Sequence, residues 1–216
     1  MTKMIRSYLT LLTTILCFNI AMSAPVKPLK ADPKLISTHP IGKSDLSWFE
    51  KAFVQSFRHV YKDKVFVVTE QGKPKVWGPK DLNKKEQWLL DIAKEEFGNY
   101  VFPKKEEHKA LIIKYSGQPV GAILYQLGKD KHKTIYIAQM FITPAFQQQG
   151  IGAYVVDKVL PRLYPSTKRY EILTRHQNDA ALLLYTKLNF QVGDKALVEK
   201  YAYNPLYYLG LYKLLP

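Results

Sequence analysis

Three runs of alternating apolar residues follow one another between positions 110 and 142, and the third leads straight into a glycine-bearing turn. Their joins are short, Ser116-Gly117-Gln118 and residues 128–133. Side chains along a strand point to opposite faces in turn, so hairpin-length joins between such runs predict an antiparallel meander. The period then changes. Residues 150–160 carry a mainly helical spacing that Pro161 disfavours continuing, residues 170–174 read as a further strand, and Asn178 opens a helix with Ala181, Leu182, Tyr185 and Leu188 on one side. Strands grouped first and then alternating with helices predict an α+β fold, a mixed, mostly antiparallel central sheet flanked by helices, and exclude a purely parallel one.

Upstream, Leu46, Phe49, Phe53, Phe57 and Val60 recur at three and four behind a Ser47/Glu50 capping-box spacing, which predicts an amphipathic helix over 45–61. Val65 to Val68 and Val76-Trp77, separated by Gln71-Gly72-Lys73-Pro74, read as a hairpin. A second helix follows, capped by Asn83 and Glu86, with Trp88, Leu89, Ile92, Ala93 and Phe97 on its apolar face and an end near Gly98. The aromatic-rich residues 201–214 predict two strands, or one strand with a bend.

Residues 1–23 have the three-part layout of a secretory signal: basic Lys3 and Arg6, an apolar stretch from Tyr8 to Ile20, then Ala21-Met22-Ser23 before Ala24 and Pro25. Cleavage after Ser23 leaves small residues at both inspected positions. The apolar run is shorter than the roughly 20 residues that span a bilayer, so no stable membrane insertion is expected after cleavage, with a retained anchor as the other possibility. Residues 24–43 read as a linker and first strand, and 44–216 as one folded domain. Cleavage would remove Cys17, the chain's only cysteine, and with it thiol catalysis and cysteine-ligated metal. Lys and Arg total 32 against 18 Asp and Glu, a net charge of +14, which points to an acidic partner such as a nucleic acid, an anionic surface or a phosphorylated ligand, or to a solvated basic surface. No motif interleaves aromatics with basic residues on one sheet, so nucleic acid is not expected.

The sharpest local feature is Pro144-Ala145-Phe146-Gln147-Gln148-Gln149-Gly150-Ile151-Gly152-Ala153 at a strand-to-helix junction. Backbone amides in such a turn, with the helix N-terminus behind them, form a cradle for phosphate or pyrophosphate. The spacing fits neither the dinucleotide fingerprint nor the P-loop. Gln147-x-x-Gly150-x-Gly152, preceded by Ile142-x-Pro144, resembles the pyrophosphate motif of the GCN5-related N-acetyltransferase (GNAT) family. Asn178-Asp179-Ala180-Ala181-Leu182-Leu183-Leu184-Tyr185-Thr186-Lys187-Leu188-Asn189-Phe190 resembles that family's later Asn-x-x-Ala-x-x-Leu-Tyr-x-Lys-Leu-Gly-Phe pattern. The resemblance covers about residues 110–190.

The resemblance implies an acyl-CoA N-acyltransferase fold with acetyl-CoA as co-substrate and no metal. Met140, Phe141 and Ile142 would pair their backbone with the pantetheine arm. Gln147, Gln148, Gln149, Gly150, Ile151 and Gly152 would wrap the pyrophosphate, Asn178 would reach the cofactor, and Tyr185 would be the general acid that protonates the leaving thiolate. Each has a plainer reading beside it: Asn178 is a good helix cap, and Tyr185 an ordinary core aromatic. A small-molecule or peptide amine would be acetylated by direct attack, chosen by segments such as 62–80 and 199–215. Many members place a Glu on the strand before the glycine turn, yet residues 134–142 contain no acid. Glu171, His176 and His132 are base candidates by type alone. Gln148 replaces a frequent Gly, and Asn189 replaces the usual Gly after the helix. Export stands against an intracellular co-substrate, so the expectations are an exported acetyltransferase, periplasmic, secreted or delivered into another cell, or an inactive binding protein of the same fold. Oligomeric state is not legible.

Overall fold

The computed structural model describes residues 31–70, 73–102, 105–131 and 133–216. In chain order they form β1 (Ile36–Pro40), α1 (Leu46–Tyr61), the hairpin β2 (Phe66–Glu70) and β3 (Lys73–Trp77), α2 (Leu82–Val101), the meander β4 (His108–Tyr115), β5 (Gln118–Leu127) and β6 (Thr134–Ile142), a composite helix α3 (residues 151–163), then β7 (Arg169–Arg175), α4 (Asp179–Lys187), β8 (Gln191–Val192), α5 (Lys195–Lys200) and β9 (Tyr208–Leu214). Among the described residues, one sheet runs β1-β4-β5-β6-β7-β9-β8 and the β2-β3 hairpin stands apart. Neighbouring strands are antiparallel except β6 and β7. The mixed, mostly antiparallel sheet read from the sequence is therefore the one observed. The signal-like segment, Cys17, residues 24–30 of the linker and His132 lie outside the described residues, and no described helix is long and apolar enough to cross a membrane.

Period-two alternation splits the core between the sheet's faces. Ile113 and Ile123 turn toward Ile151, Val155, Val156 and Leu160 of α3 and Tyr185 and Leu188 of α4. Ile112, Ala122, Leu124 and Phe141 turn the other way, toward Phe49, Ala52 and Phe53 of α1 and Leu89, Ala93 and Phe97 of α2. Each fully buried large apolar side chain contributes about 1.5–3 kcal/mol, so both helix layers are held on the sheet mainly by this burial.

The helix boundaries depart from the expected caps. Neither the Ser47/Glu50 nor the Asn83/Glu86 box opens its helix; both helices enter through a Gly-x-x-Asp turn. Asp45 Oδ2 accepts from the Gly42 amide at 2.8 Å, and Asp81 Oδ2 from the Gly78 amide at 3.0 Å. Gly98 does not stop α2, because Tyr100 in the following turn is buried and stacks on His108 at 4.6 Å, which offsets the roughly 1 kcal/mol a helical glycine costs. Pro161 does not stop α3 either. The helix runs through Ile151–Tyr154, a π turn at Val155–Val159 and Leu160–Leu163. The Leu160 amide reaches back to the Val155 carbonyl, so the ladder has left its ordinary register where proline withdraws a donor. The C-terminal region holds one strand, β9, preceded by α5, and Asp194 caps that helix by accepting from the Leu197 amide at 3.1 Å.

The end of α1 is closed from a distance. Lys85, 1% exposed, sends Nζ to the carbonyls of Tyr61, Lys62 and Lys64 at 2.9, 3.1 and 2.7 Å. A helix end leaves its last carbonyls without intrahelical partners, and the ammonium serves those of Tyr61 and Lys62, the first shared with the Lys64 amide at 3.1 Å, together with that of Lys64 just beyond.

Candidate active site

The site begins at a defect in β6. Leu124 stands opposite Gln139, and the next residue of β5, Tyr125, opposite Ile137, so Ala138 is an extra residue that bulges the strand. Parallel pairing of β6 with β7 runs from Thr134 and Arg169 to Ile137 and Ile172 and stops there. Beyond the bulge β6 has no β7 partner, and Ala138, Gln139 and Met140 are only half-buried although the strand is central. Gly121 permits this course. A Cβ there would fall 2.3 Å from the Phe141 carbonyl oxygen and 2.7 Å from Ile142 Cδ1.

The glycine turn follows at once. The Thr143 amide and hydroxyl both donate to the Val120 carbonyl, at 2.8 and 3.1 Å, and Gln147 Nε2 donates to the Ile142 carbonyl at 2.7 Å. The turn is thus pinned to the strand that precedes it. Gln148 takes φ +59° and Gly150 φ +84°, both left-handed, and Ile151 starts α3. Gln149 Nε2 donates to the Ala145 carbonyl at 3.1 Å, and its own carbonyl accepts from Ala31 at 3.2 Å. Among the described residues the amides of Gln148, Gln149, Gly150, Ile151 and Gly152 meet no acceptor. A left-handed turn leading into a helix N-terminus, with free amides, has the chemistry of a pyrophosphate cradle.

The other expected residues divide by face. Met140 and Ile142 lie toward α3 and α4: a Cβ on Gly152 would rest 3.5 Å from Met140 Cε, 3.7 Å from Ile142 Cγ1 and 3.8 Å from Leu184 Cδ2. Phe141 points the opposite way and packs edge-on to Phe49 and Phe53 at 5.4 and 5.6 Å, so only its backbone is available to a ligand. Asn178 caps α4, its Oδ1 accepting from the Ala181 amide at 3.2 Å, while its side chain also touches the Tyr61 hydroxyl. Tyr185, on α4, shares the packed cluster that Met140 and Ile142 border, and is 2% exposed. Its hydroxyl has no hydrogen-bond partner among the described residues, and burial alone pushes its pKa well above the ordinary phenol value.

Two base candidates are placed elsewhere. Glu171 is held by Arg169 at 2.7 Å, Lys200 at 2.6 Å and the Tyr201 hydroxyl at 2.6 Å. Burial alone would raise its carboxyl, but these bonds outweigh it and hold the group below the usual carboxylate range. His176 is exposed beside the Pro205 carbonyl at 3.3 Å. The sequence reading also missed a basic groove. Arg58 and His59 of α1 and Lys62 at its C-terminal cap face Pro144, Gln147 and Gln148 across a cavity of about 540 Å³. Arg58 and Lys62 stand four apart beside the aromatic stripe of α1, the spacing that could have shown one basic face. Among the described residues no group of three or more His, Cys, Asp or Glu side chains could hold a metal.

The acetyltransferase (GNAT) family model matches residues 63–190, more than half of the chain. No curated protein sequence matches significantly. Among solved structures, PaiA N-acetyltransferase from Thermoplasma acidophilum, in complex with coenzyme A, aligns with a TM-score of 0.61 at 14% identity, covering 83% of this chain and 99% of its own. An acetyl transferase from Salmonella typhimurium that modifies the N-terminal serine of a 50S ribosomal subunit protein aligns at 0.55 and 12%, covering 84% and 96%. Spermidine N-acetyltransferase from Vibrio cholerae, in complex with CoA and spermine, aligns at 0.52 and 13%, also covering 84% and 96%. At these identities the likeness is one of fold.

Proposed function

The chain belongs to the GNAT acetyltransferase family, and from that premise we propose that it transfers an acetyl group from acetyl-CoA to a primary amine by direct attack on the thioester. The observation that carries this reading is the left-handed turn at Gln148 and Gly150, with its unpaired amides, at the end of a strand that has parted from β7. Those amides would hold the pyrophosphate. The unpartnered edge of Met140, Phe141 and Ile142 would take the pantetheine arm, and Arg58, His59 and Lys62 would draw phosphate charge toward the turn. The co-substrate supplies an activated thioester. Tyr185 would protonate the departing thiolate: a phenol is protonated at neutral pH, the state a general acid needs, and burial shifts it further toward that form. Complexes of distant relatives with coenzyme A, and the amine substrates their names carry, support the same class of reaction.

We propose also that the protein is exported, on the strength of Lys3, Arg6, the apolar stretch and Ala21-Met22-Ser23. An exported acetyltransferase meets acetyl-CoA only where a cell supplies it, so delivery into another cell is the setting in which both proposals hold. N-terminal sequencing of the secreted protein tests export: a start at Ala24 supports cleavage, and a start at Met1 overturns it.

Calorimetric titration of the full chain with acetyl-CoA, beside a Gly150→Trp variant, tests the cofactor site. Micromolar binding lost in the variant supports the reading. No binding to the folded wild type at millimolar acetyl-CoA overturns it and leaves a fold retained for recognition alone.

A further inference from the structure

Strand β6 carries no acid, but one reaches it from α2. Glu96 Oε1 accepts from Gln139 Nε2 at 3.3 Å, and Gln139 is the first residue after the bulge, where β6 parts from β7. Around that carboxylate stand tyrosines from three elements: Tyr100 on α2, Tyr136 on β6 and Tyr203 in the segment before β9, each close enough for the Glu96 charge to bear on its hydroxyl. The rings are braced against one another. Tyr136 stacks on Tyr201 at 3.8 Å and Tyr203 meets Tyr208 edge-on at 4.6 Å. Tyr100 and Tyr136 are buried, whereas Tyr203 is 38% exposed and forms the outer side.

We propose that this cluster is the acceptor pocket, in which Glu96 binds the protonated primary amine and then takes its proton, with Tyr100, Tyr136 and Tyr203 walling the cation. The proposal rests on the acetyl-transfer reading above. A chain of net charge +14 repels an ammonium ion, so the acceptor needs a local carboxylate and aromatic faces, and the cluster supplies both. Arg169, Lys200 and Tyr201 occupy Glu171, whereas Glu96 has one neutral amide, Gln139, and no cation bonded to it among the described residues. Burial raises the Glu96 carboxyl, the Gln139 bond lowers it and neighbouring Glu95 raises it, a balance that makes it a better proton acceptor than an exposed carboxylate. In the reaction the ammonium gives one proton to Glu96 and the nitrogen attacks the thioester carbon. The C–N bond forms, the nitrogen loses its second proton and the C–S bond breaks. The thiolate is protonated by Tyr185, and the nitrogen's second proton restores the phenol, so one proton in total leaves through Glu96.

The test uses the full chain with butylamine as the probe and butanol as its neutral control, titrated calorimetrically with and without coenzyme A. Glu96→Gln is expected to weaken butylamine binding roughly tenfold, and Tyr203→Ala roughly threefold, with coenzyme A binding unchanged in both. In turnover, Glu96→Gln lowers kcat for butylamine about 100-fold and removes the acid limb of the pH profile, and Glu96→Asp restores part of the rate. Glu95, Tyr100, Tyr136 and Tyr203 face the same carboxylate, and only Glu96→Gln is expected to remove that limb. Unchanged butylamine binding in Glu96→Gln, or no binding to the wild type, overturns the pocket while acetyl-CoA binding and transfer stand. Loss of coenzyme A binding in the wild type overturns the acetyl-transfer reading instead, and butylamine binding without coenzyme A then decides the pocket alone.

Discussion

Phe190 fixes Tyr185 from two directions: its amide donates to the Tyr185 carbonyl at 2.9 Å, and its ring stands edge-on to the Tyr185 ring at 5.0 Å. Between them Asn189 takes φ +61° and its amide donates to the Thr186 carbonyl at 3.0 Å. This is a Schellman closure, with Asn in the position glycine usually fills and the apolar contact that accompanies the motif. The same few residues therefore end α4 and orient the phenol that would deliver a proton.

Removing the hydroxyl and removing its support should have separable effects. Tyr185→Phe deletes an oxygen that has no partner among the described residues, so the melting temperature should hold while kcat falls about 100-fold with KM for acetyl-CoA unchanged. Phe190→Ala should cost about 3–5 kcal/mol in denaturant unfolding. An unaltered kcat in Tyr185→Phe would remove Tyr185 from the mechanism.

Two glycines should respond to alanine with opposite signs. At Gly121 a Cβ would meet the Phe141 carbonyl oxygen, a backbone atom that cannot swing aside, so Gly121→Ala should destabilise by about 1–3 kcal/mol. Acetyl-CoA affinity should fall with it, because the displaced strand carries the edge proposed to take the pantetheine arm. At Gly98 nothing lies within 4 Å and the backbone is helical, so Gly98→Ala should stabilise by roughly 0.5–1 kcal/mol. Urea titrations of the two variants check both signs.

Lys85→Met keeps most of the apolar stem and removes the ammonium. The carbonyls of Lys62 and Lys64 then lose their donor, and that of Tyr61 keeps only the Lys64 amide, which should cost about 2–3 kcal/mol in urea unfolding. Equal stability would mean that water caps the helix as well as the lysine does.

Local chemistry made much of this legible before the structure. The meander, both amphipathic helices and the α4 pattern follow from spacing, and the left-handed glycine turn from residues that tolerate it. What the sequence hid is long-range. Nothing near Tyr61 signals that Lys85 will close its helix, and nothing near Gln139 signals an acid 43 residues upstream. Gly98 and Pro161 misled because each penalty is a local preference, and the buried Tyr100 outweighs the first while the π turn accommodates the second. Glu96 carried no motif; only the packing of α2 against the bulged strand gives it meaning.

That packing has a thermodynamic signature. Burial raises the folded-state pKa of Glu96 above the ordinary 4.5, so between that value and the raised one the folded chain holds a proton the unfolded chain has released. Stability therefore falls as pH rises through this window, and the whole penalty persists above it. A glutamine in its place would occupy the same volume without an ionising group. Glu96→Gln should melt higher than the wild type at about pH 8, with the difference shrinking as pH drops through the window and vanishing once the unfolded carboxyl is also protonated. Calorimetric melting across that range checks it. A variant that melts lower at every pH would mean that the carboxylate stabilises the fold and that its burial serves structure.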